Sequence, residues 1–358
     1  MDTSNTDGAA YHGPVSALLK LGRMSEWWEF KFVPALMIGY ATSIHLEASP
    51  WAAAGGLVLL LLALLPGGIF VSVLNDLTDR ADDAAAGKVN RQEGKHPAIP
   101  ILIIVLTLIA GGTLLWVWRD EPQLLSIYVL GWVAFTLYSL PPFRLKSRGL
   151  PGILCDATGA HFVPAMLAAY IVAHSLARDL PIVWAFAVGS WSLFYGLRGI
   201  LWHQIGDFGA DKLSQTRTFV ARYGPGVAIR GVKWVLFPLE LVALSAIILQ
   251  IGIGAMTSAV LALLLYAVLE YGRVDRFEMT LTIVEPKPRS SIVLYEYYDV
   301  LLPLALLICG IFKQWEATAV LLLHCVFFPV RMKQVMKDFI KFTDPQYQRR
   351  SKQHNDRH

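Results

Sequence analysis

The chain has 358 residues, of which 16% are charged and 55% apolar, and its mean hydropathy is +0.49. Soluble proteins carry about 25% charged residues, so this composition excludes an ordinary water-soluble enzyme and predicts a polytopic membrane protein. Cys155, Cys309 and Cys325 stand singly in apolar runs. They exclude a disulfide scaffold and offer no paired thiols for zinc or redox chemistry.

Ten segments are apolar enough to cross a bilayer as helices. A spanning helix needs about 20 mostly apolar residues, because its backbone polar groups must be satisfied internally. The first segment is the weakest, since Glu29 and Lys31 interrupt it, and the last is short. The predicted spans are 27–45, 52–75, 99–118, 123–140, 152–174, 181–205, 231–251, 253–270, 292–312 and 315–331.

The distribution of Lys and Arg predicts that both termini are cytoplasmic. Of the 31 basic residues, only Arg119, Arg178 and Lys313 fall in loops assigned to the outside, in keeping with the positive-inside rule. The net charge of +4 therefore reflects the surplus of Lys and Arg in the cytoplasmic loops, and no nucleic-acid partner is expected.

Three parts are expected along the chain. A polar cytoplasmic segment covers 1–26 without a cleavable signal peptide, a membrane domain covers 27–332, and a basic cytoplasmic tail covers 333–358. Since no organellar targeting segment is recognisable, a bacterial-type inner membrane is the expected location. Prolines within 271–291 predict an irregular loop there.

Two clusters of carboxylates follow the second and the sixth span. On a continuing helix, the first cluster places three oxygen-bearing side chains at i, i+4 and i+8, and the second places two at i and i+4, so each set shares one face. The members are Asn75, Asp79 and Asp83, beside Asp76, in the first cluster, and Asp207 and Asp211 in the second.

The two clusters emerge on the same side and occupy equivalent places in two successive groups of four spans. Such matching predicts a tandem repeat of four-helix halves that face each other across a central cavity. Ligands that are all oxygen indicate Mg²⁺, which usually shares its coordination shell with substrate phosphates. The alternative is that these are solvated loop acids balanced by nearby basic residues.

Basic side chains at the same level are candidates for binding an anion. Arg144 and Lys146 are the best placed, because Pro141-Pro142 fixes a stiff turn before them. Together with Mg²⁺, a basic pair of this kind suits a diphosphate. The further candidates, for each of which a topological role is the alternative, are Lys88, Arg91 and Lys212.

An aromatic stripe on the sixth span ends just below the second acidic cluster. Trp191, Phe194, Tyr195 and Arg198 recur at helical spacing, and aromatic faces stabilise nearby cations, including carbocations. Trp191 and Tyr195 are therefore predicted substrate contacts, with packing between helices as an equally good explanation.

In three motifs and in their order, the chain resembles the UbiA superfamily of intramembrane prenyltransferases. Residues 75–83 match the family's NDxxDxxxD, residues 138–146 match YS…PxRxK, and residues 207–218 match DxxxD…RT. The resemblance covers roughly residues 20–270. Gln92 and Gln215 depart from the residues common in the family, which usually has nine spans rather than ten.

The resemblance implies an all-α bundle with acidic motifs above a laterally open cavity. It also implies two Mg²⁺ ions that bridge an isoprenyl diphosphate bound by Arg144 and Lys146, with Tyr138 beside them. The residues implied to hold the ions are Asn75, Asp76, Asp79, Asp83, Asp207 and Asp211, of which Asp79, Asp83, Asp207 and Asp211 would be catalytic.

Three functions remain open from the sequence. The first is transfer of the prenyl group to a hydrophobic acceptor, typically an aromatic ring in this family. The second is cyclisation of the prenyl chain without an acceptor, which needs the same metal-assisted ionisation. The third is a non-catalytic transporter or lipid-binding protein, since matched repeats also occur in transporters.

Overall fold

The computed structural model describes residues 22–85, 87, 89–277, 280–287 and 290–344. These residues form fourteen helices and one pair of short strands. The helices are α1 Met24–His45, α2 Ala54–Thr78, α3 Arg80–Ala85, α4 Ala98–Val117, α5 Pro122–Ser139, α6 Leu150–Ser175, α7 Ile182–Gly206, α8 Phe208–Leu213, α9 Phe219–Tyr223, α10 Pro225–Gln250, α11 Ile253–Phe277, α12 Leu302–Lys313, α13 Ala317–Phe327 and α14 Pro329–Thr343.

Three helical segments contain a single wide π-turn, and each has the same sequence cause. The turns Thr158–Phe162 in α6, Val232–Leu236 in α10 and Tyr297–Leu301 before α12 each end two residues before a proline. Proline removes one backbone donor and its ring clashes with the preceding turn. A π-turn accommodates that clash without ending the helix.

The long helices follow one another around the bundle and close on themselves. Each long helix contacts the next in the order α1, α2, α4, α5, α6, α7, α10, α11 and α12, and α12 contacts α1. Helix α1 also packs against α6 across the bundle. Helices α1, α2, α4 and α5 correspond in order to α6, α7, α10 and α11. The predicted all-α bundle of two four-helix halves is thus confirmed.

Five described helices are long and apolar enough to cross a membrane, and a bent pair would make six. The prediction of ten spans is therefore not met on length and composition, although a helix lies at each predicted position. The five helices are Ala54–Thr78, Ala98–Val117, Leu150–Ser175, Pro225–Gln250 and Ile253–Arg273. The chain is an integral membrane protein.

The tenth predicted span is wrong as a straight crossing. Helix α13 covers only Ala317–Phe327, and the chain then turns by 86° into α14. Eleven helical residues reach only about 16 Å, roughly half of the hydrocarbon thickness. Glu29 of α1 holds the turn, because its carboxylate accepts the first amides of α14 from Val330 and Arg331, both at 2.7 Å.

The predicted loop over 271–291 is also partly wrong. Helix α11 continues to Phe277, and β1 Thr280–Thr282 then pairs in parallel with β2 Ser290–Ile292. The register aligns Thr280 with Ser290. Pro286 lies between the strands, where a missing donor costs no ladder hydrogen bond.

Candidate active site

The first acidic motif continues the helical repeat across the end of α2. The amide of Asp79 donates to the Asn75 carbonyl at 2.9 Å, and the amide of Asp83 donates to the Asp79 carbonyl at 2.8 Å. The i, i+4, i+8 spacing read from the sequence therefore exists in the backbone, carried by the last turn of α2 and by α3.

Arg144 and Lys146 lie directly against this motif. Nη2 of Arg144 donates to Asp79 at 3.1 Å and to Asp82 at 2.7 Å, and Lys146 forms an ion pair with Asp79. Lys146 is only 8% exposed. Burial lowers the pKa of its ammonium, while the adjacent Asp79 carboxylate acts in the opposite direction. The two cations predicted to bind an anion thus lie against motif one, and anion binding by them stays a prediction.

Two backbone features shape the loop that carries Arg144 and Lys146. Arg144 adopts a left-handed conformation with φ 37°, which costs a non-glycine residue roughly 1 kcal/mol or more and is typical of functional sites. Gly152 lets the loop pack on α6, because a Cβ at that position would lie 2.5 Å from the Leu145 carbonyl oxygen.

The second acidic motif faces the first across the polar end of the bundle. Asp211 accepts a hydrogen bond from the Thr218 hydroxyl at 2.8 Å, and its amide donates to the Asp207 carbonyl at 2.8 Å. In the same loop, the Thr216 hydroxyl donates to Asp82 at 3.5 Å. Asp82 thus joins the Arg144 cation to the loop of the second motif.

The remaining residues of the first motif each have a hydrogen-bond partner. Ser139 donates to the side-chain oxygen of Asn75, Arg23 donates to Asp76 at 3.4 Å, and Asn90 donates to Asp83 at 2.7 Å. Asp76 is 5% exposed, so it supports the site rather than projecting into it. Asp82 and Asn90 were not singled out from the sequence, because neither lies at i, i+4 spacing with Asn75, Asp79 and Asp83, and Arg23 lies far from all three motifs in the chain.

The donor set suits Mg²⁺ in its chemistry. Among the described residues, no three carboxylate, imidazole or thiol groups come together as a ready cage. Mg²⁺ does not need one, since it keeps several waters and binds through one or two carboxylates together with substrate phosphates. Asp79 and Asp82 both contact one guanidinium nitrogen of Arg144, which brings two carboxylates to one place. The all-oxygen chemistry of the predicted ligands fits the ion. Of these, Asp79 lies beside a second carboxylate, and the role of each residue stays a prediction.

The other predicted basic contacts are further out. Arg91 forms an exposed ion pair with Glu26, and Nζ of Lys212 lies 4.3 Å from the centre of the Phe208 ring. Lys88 falls outside the described residues. Neither Arg91 nor Lys212 contacts the carboxylates paired with Arg144, so diphosphate binding by these three residues stays a prediction.

An apolar pocket lies beneath the first motif. Its volume is about 120 Å³, similar to cavities that hold a benzene ring. Val71, one helical turn below Asn75, and Phe135, one turn below Ser139, line it. Its aromatic walls are Trp27, Phe32, Tyr128, Trp132 and Phe135.

The aromatic stripe of α7 lies elsewhere. Trp191 and Tyr195 are 1% and 2% exposed and stack on each other at 5.3 Å. Arg198 forms a fully buried ion pair with Glu240 of α10 at 2.5 Å, and the Tyr298 hydroxyl donates to the same carboxylate at 2.9 Å. This stripe packs helices together and does not line the pocket, which gives the predicted substrate contacts of Trp191 and Tyr195 no support.

Solved structures of a UbiA homolog from Archaeoglobus fulgidus have the same architecture. The one bound to DMAPP and Mg²⁺ superposes with a TM-score of 0.55 at 18% identity, over 82% of this chain and 97% of that chain. This chain has the UbiA fold. The form bound to GPP and Mg²⁺ gives 0.52 at 18% identity, over 82% and 98% of the two chains, and a Cd²⁺-bound form gives 0.51. No family model and no curated protein matches the sequence.

Proposed function

We propose that this protein is a Mg²⁺-dependent intramembrane prenyltransferase that moves an isoprenyl group from its diphosphate to an aromatic acceptor. The observation that carries the proposal is the junction of two carboxylates with two cations, Asp79 and Asp82 with Arg144 and Lys146, above an apolar pocket. The UbiA fold and the prenyl diphosphates bound by the A. fulgidus protein support it.

The chain's own residues account for binding and orientation of the diphosphate. Arg144 and Lys146 exchange part of their pairing with Asp79 and Asp82 for the phosphate oxygens, which charge-assisted hydrogen bonds favour. The carboxylates of Asp79, Asp83, Asp207 and Asp211, with Asn75, would hold Mg²⁺, and Asp76 would support them from below. When bound, Mg²⁺ neutralises the leaving diphosphate, whose charge would otherwise be prohibitive next to hydrocarbon.

The pocket accounts for the hydrophobic part of the reaction. Its aromatic walls receive the allylic end of the prenyl chain or the acceptor ring, and they exclude the water that would quench a carbocation. By the positive-inside rule the polar end of the bundle faces the cytoplasm, so the diphosphate would enter from the cytoplasmic side. The membrane itself would be a bacterial inner membrane.

The test is release of diphosphate by the purified protein from geranyl, farnesyl and geranylgeranyl diphosphates. Release that requires both Mg²⁺ and a phenolic acceptor, with a prenylated ring as product, is the expected result. Release without an acceptor, giving a hydrocarbon or alcohol, would overturn the transferase in favour of a cyclase.

A matched pair of variants separates chemistry from folding. Asp79→Asn should lose release, whereas Asp120→Asn should retain it, because the Asp120 side chain is 78% exposed at a distant helix junction. The wild-type protein could release diphosphate from none of the three prenyl diphosphates, while Asp79→Asn binds them as tightly as wild type does. That result would contradict an enzymatic role and favour a binding protein or transporter.

A further inference from the structure

A lysine and a histidine meet at the wall of the apolar pocket, away from the acidic motifs. Lys31 is the one charged residue among the described residues that line the pocket. Its Nζ lies 2.7 Å from Nε2 of His161 on α6. His161 is 8% exposed and packs edge-on against Tyr195, with ring centres 4.8 Å apart. The histidine is therefore fixed by packing and holds the lysine amine in one direction.

The pair lies below the proposed diphosphate site and in line with it. Trp27 and Lys31 lie one turn apart on α1, and Arg23 directly precedes this helix. Arg23 contacts Asp76 of the first motif, and Trp27 lines the pocket. At 1.5 Å per residue, Lys31 stands about 10 Å further along the axis than Met24, where α1 begins. A ring held in the pocket would lie between the leaving diphosphate and this amine.

We propose that Lys31, positioned by His161, accepts the proton of the acceptor hydroxyl, and that the acceptor is consequently a phenol. The proposal rests on the function proposed above. An amine at the wall of an apolar, aromatic pocket is suited to general-base work, and the pocket volume of about 120 Å³ suits a single ring.

The proton and electron balance is simple. The Lys31 amine takes the O–H proton, and the electron pair left on oxygen raises electron density at the ortho carbon. That carbon forms a bond to C1 of the prenyl chain while the C1–O bond breaks, and its electron pair leaves with the diphosphate. The ring carbon then loses its proton to the released diphosphate, and Lys31 returns its proton to the phenolate oxygen.

Other titratable groups face this pair from the neighbouring elements. Asp156 on α6 and Asp299 in the π-turn before α12 act electrostatically on Lys31, and His203 on α7 acts on His161. A pH profile of the wild-type protein therefore reports on the whole cluster, so the assignment of Lys31 needs variants that change its proton chemistry alone.

The decisive comparison is between Lys31→Arg and Lys31→Met. Arginine cannot lose its proton in this pH range, so it places a permanent cation at the position and removes a base. We expect both variants to lose at least about a hundredfold in kcat with weakly acidic phenols. Lys313→Met is the control, because Lys313 is exposed at the end of α12.

A second measurement uses acceptors of graded acidity. A phenol already ionised at neutral pH needs no base, so it should restore both Lys31 variants to within a few-fold of wild type. Binding of the prenyl diphosphate should be unchanged. His161→Gln should lower kcat by less than Lys31→Met and shift the pH profile, which a purely structural role would not do.

The outcomes separate cleanly. Normal turnover of Lys31→Arg with weakly acidic phenols would overturn the base assignment and leave the transferase intact. Where either variant fails to fold, a wild-type kcat that is independent of phenol acidity overturns the assignment instead. Wild-type protein that prenylates no acceptor would overturn the proposed function, and this assignment with it.

Discussion

The two halves of the bundle differ most at the level just below their acidic motifs. About two helical turns below its motif, α2 carries Gly67 and Gly68, whereas α7 carries Arg198 and Gly199 at the same height. The first half is open there, and α1, α2 and α5 form most of the apolar pocket, which α6 of the second half completes. The second half is filled, because Arg198 pairs with Glu240 and two tyrosines close around them.

Glycines explain the open side. A Cβ at Gly68 would lie 2.9 Å from Trp27, and a Cβ at Gly67 would lie 3.2 Å from Phe135. The large aromatic rings thus pack against bare backbone and leave a pocket between them. The comparison indicates that most of the apolar pocket belongs to the first half, with α6 of the second half completing its lining, whereas α7 contributes a packed wall.

Breaking the filled half should have the largest effect on stability. Arg198→Met leaves the Glu240 carboxylate buried without its cation, and such changes cost about 3–5 kcal/mol of unfolding free energy. Thermal unfolding in detergent measures the loss. The double variant Arg198→Met/Glu240→Leu should recover most of it, and a single variant as stable as wild type would contradict a structural role for the pair.

Loss of one motif carboxylate should have the next largest effect, and on chemistry rather than on stability. Asp79→Asn keeps the shape of the side chain but removes a charge that faces Arg144 and Lys146. We expect kcat to fall at least about a hundredfold with little change in thermal unfolding. Diphosphate release checks it, and a kcat within threefold of wild type would exclude Asp79 from the site.

Removal of Lys146 should have an intermediate effect, confined to binding. Lys146→Ala deletes one charge-assisted contact to the diphosphate, so the Kd for a prenyl diphosphate should rise about tenfold, or roughly 1.4 kcal/mol. Titration of the purified protein measures it, with Lys313→Ala as the control. Unchanged affinity together with poor membrane insertion would assign Lys146 a topological role instead.

The smallest effect is expected from narrowing the open half. Gly67→Ala places a methyl group 3.2 Å from Phe135, so the ring must shift into the pocket. We expect KM for the phenolic acceptor to rise a few-fold, with a stability change below about 1 kcal/mol. Gly112→Ala is the matched control, because nothing lies within 4 Å of a Cβ there.

Part of the site could be predicted from residue spacing alone. The i, i+4 positions of Asn75, Asp79 and Asp83 are confirmed in the backbone, because hydrogen bonding along a helix is local. Arg144 was predicted to lie at the level of the acidic motifs, and it contacts Asp79 although 65 residues separate the two along the chain. Asp82 could not be distinguished from the neighbouring acidic residues in the sequence. Its side chain contacts Arg144 and Thr216, which come close to it only in the folded protein.

Two predictions failed or lost support because the sequence pattern behind each is compatible with two different structures. The apolar run near 315–331 is long enough to suggest a span, but the carboxylate of Glu29, far away in sequence, caps a new helix at Val330 and turns the chain. Similarly, the aromatic stripe of α7 suits a cation-binding wall or a packed core equally well. The buried partner Glu240 decides for packing.

By itself, the sequence determined the membrane character, the helices and the order of the polar motifs, since these depend on local composition and period. Only the tertiary structure decided that Asp82 contacts the loop of the second motif, that the pocket lies between α1, α2, α5 and α6, and that Lys31 reaches His161. Contacts of this kind join residues far apart in the chain. They depend on which helices pack together and on where small residues leave room between them.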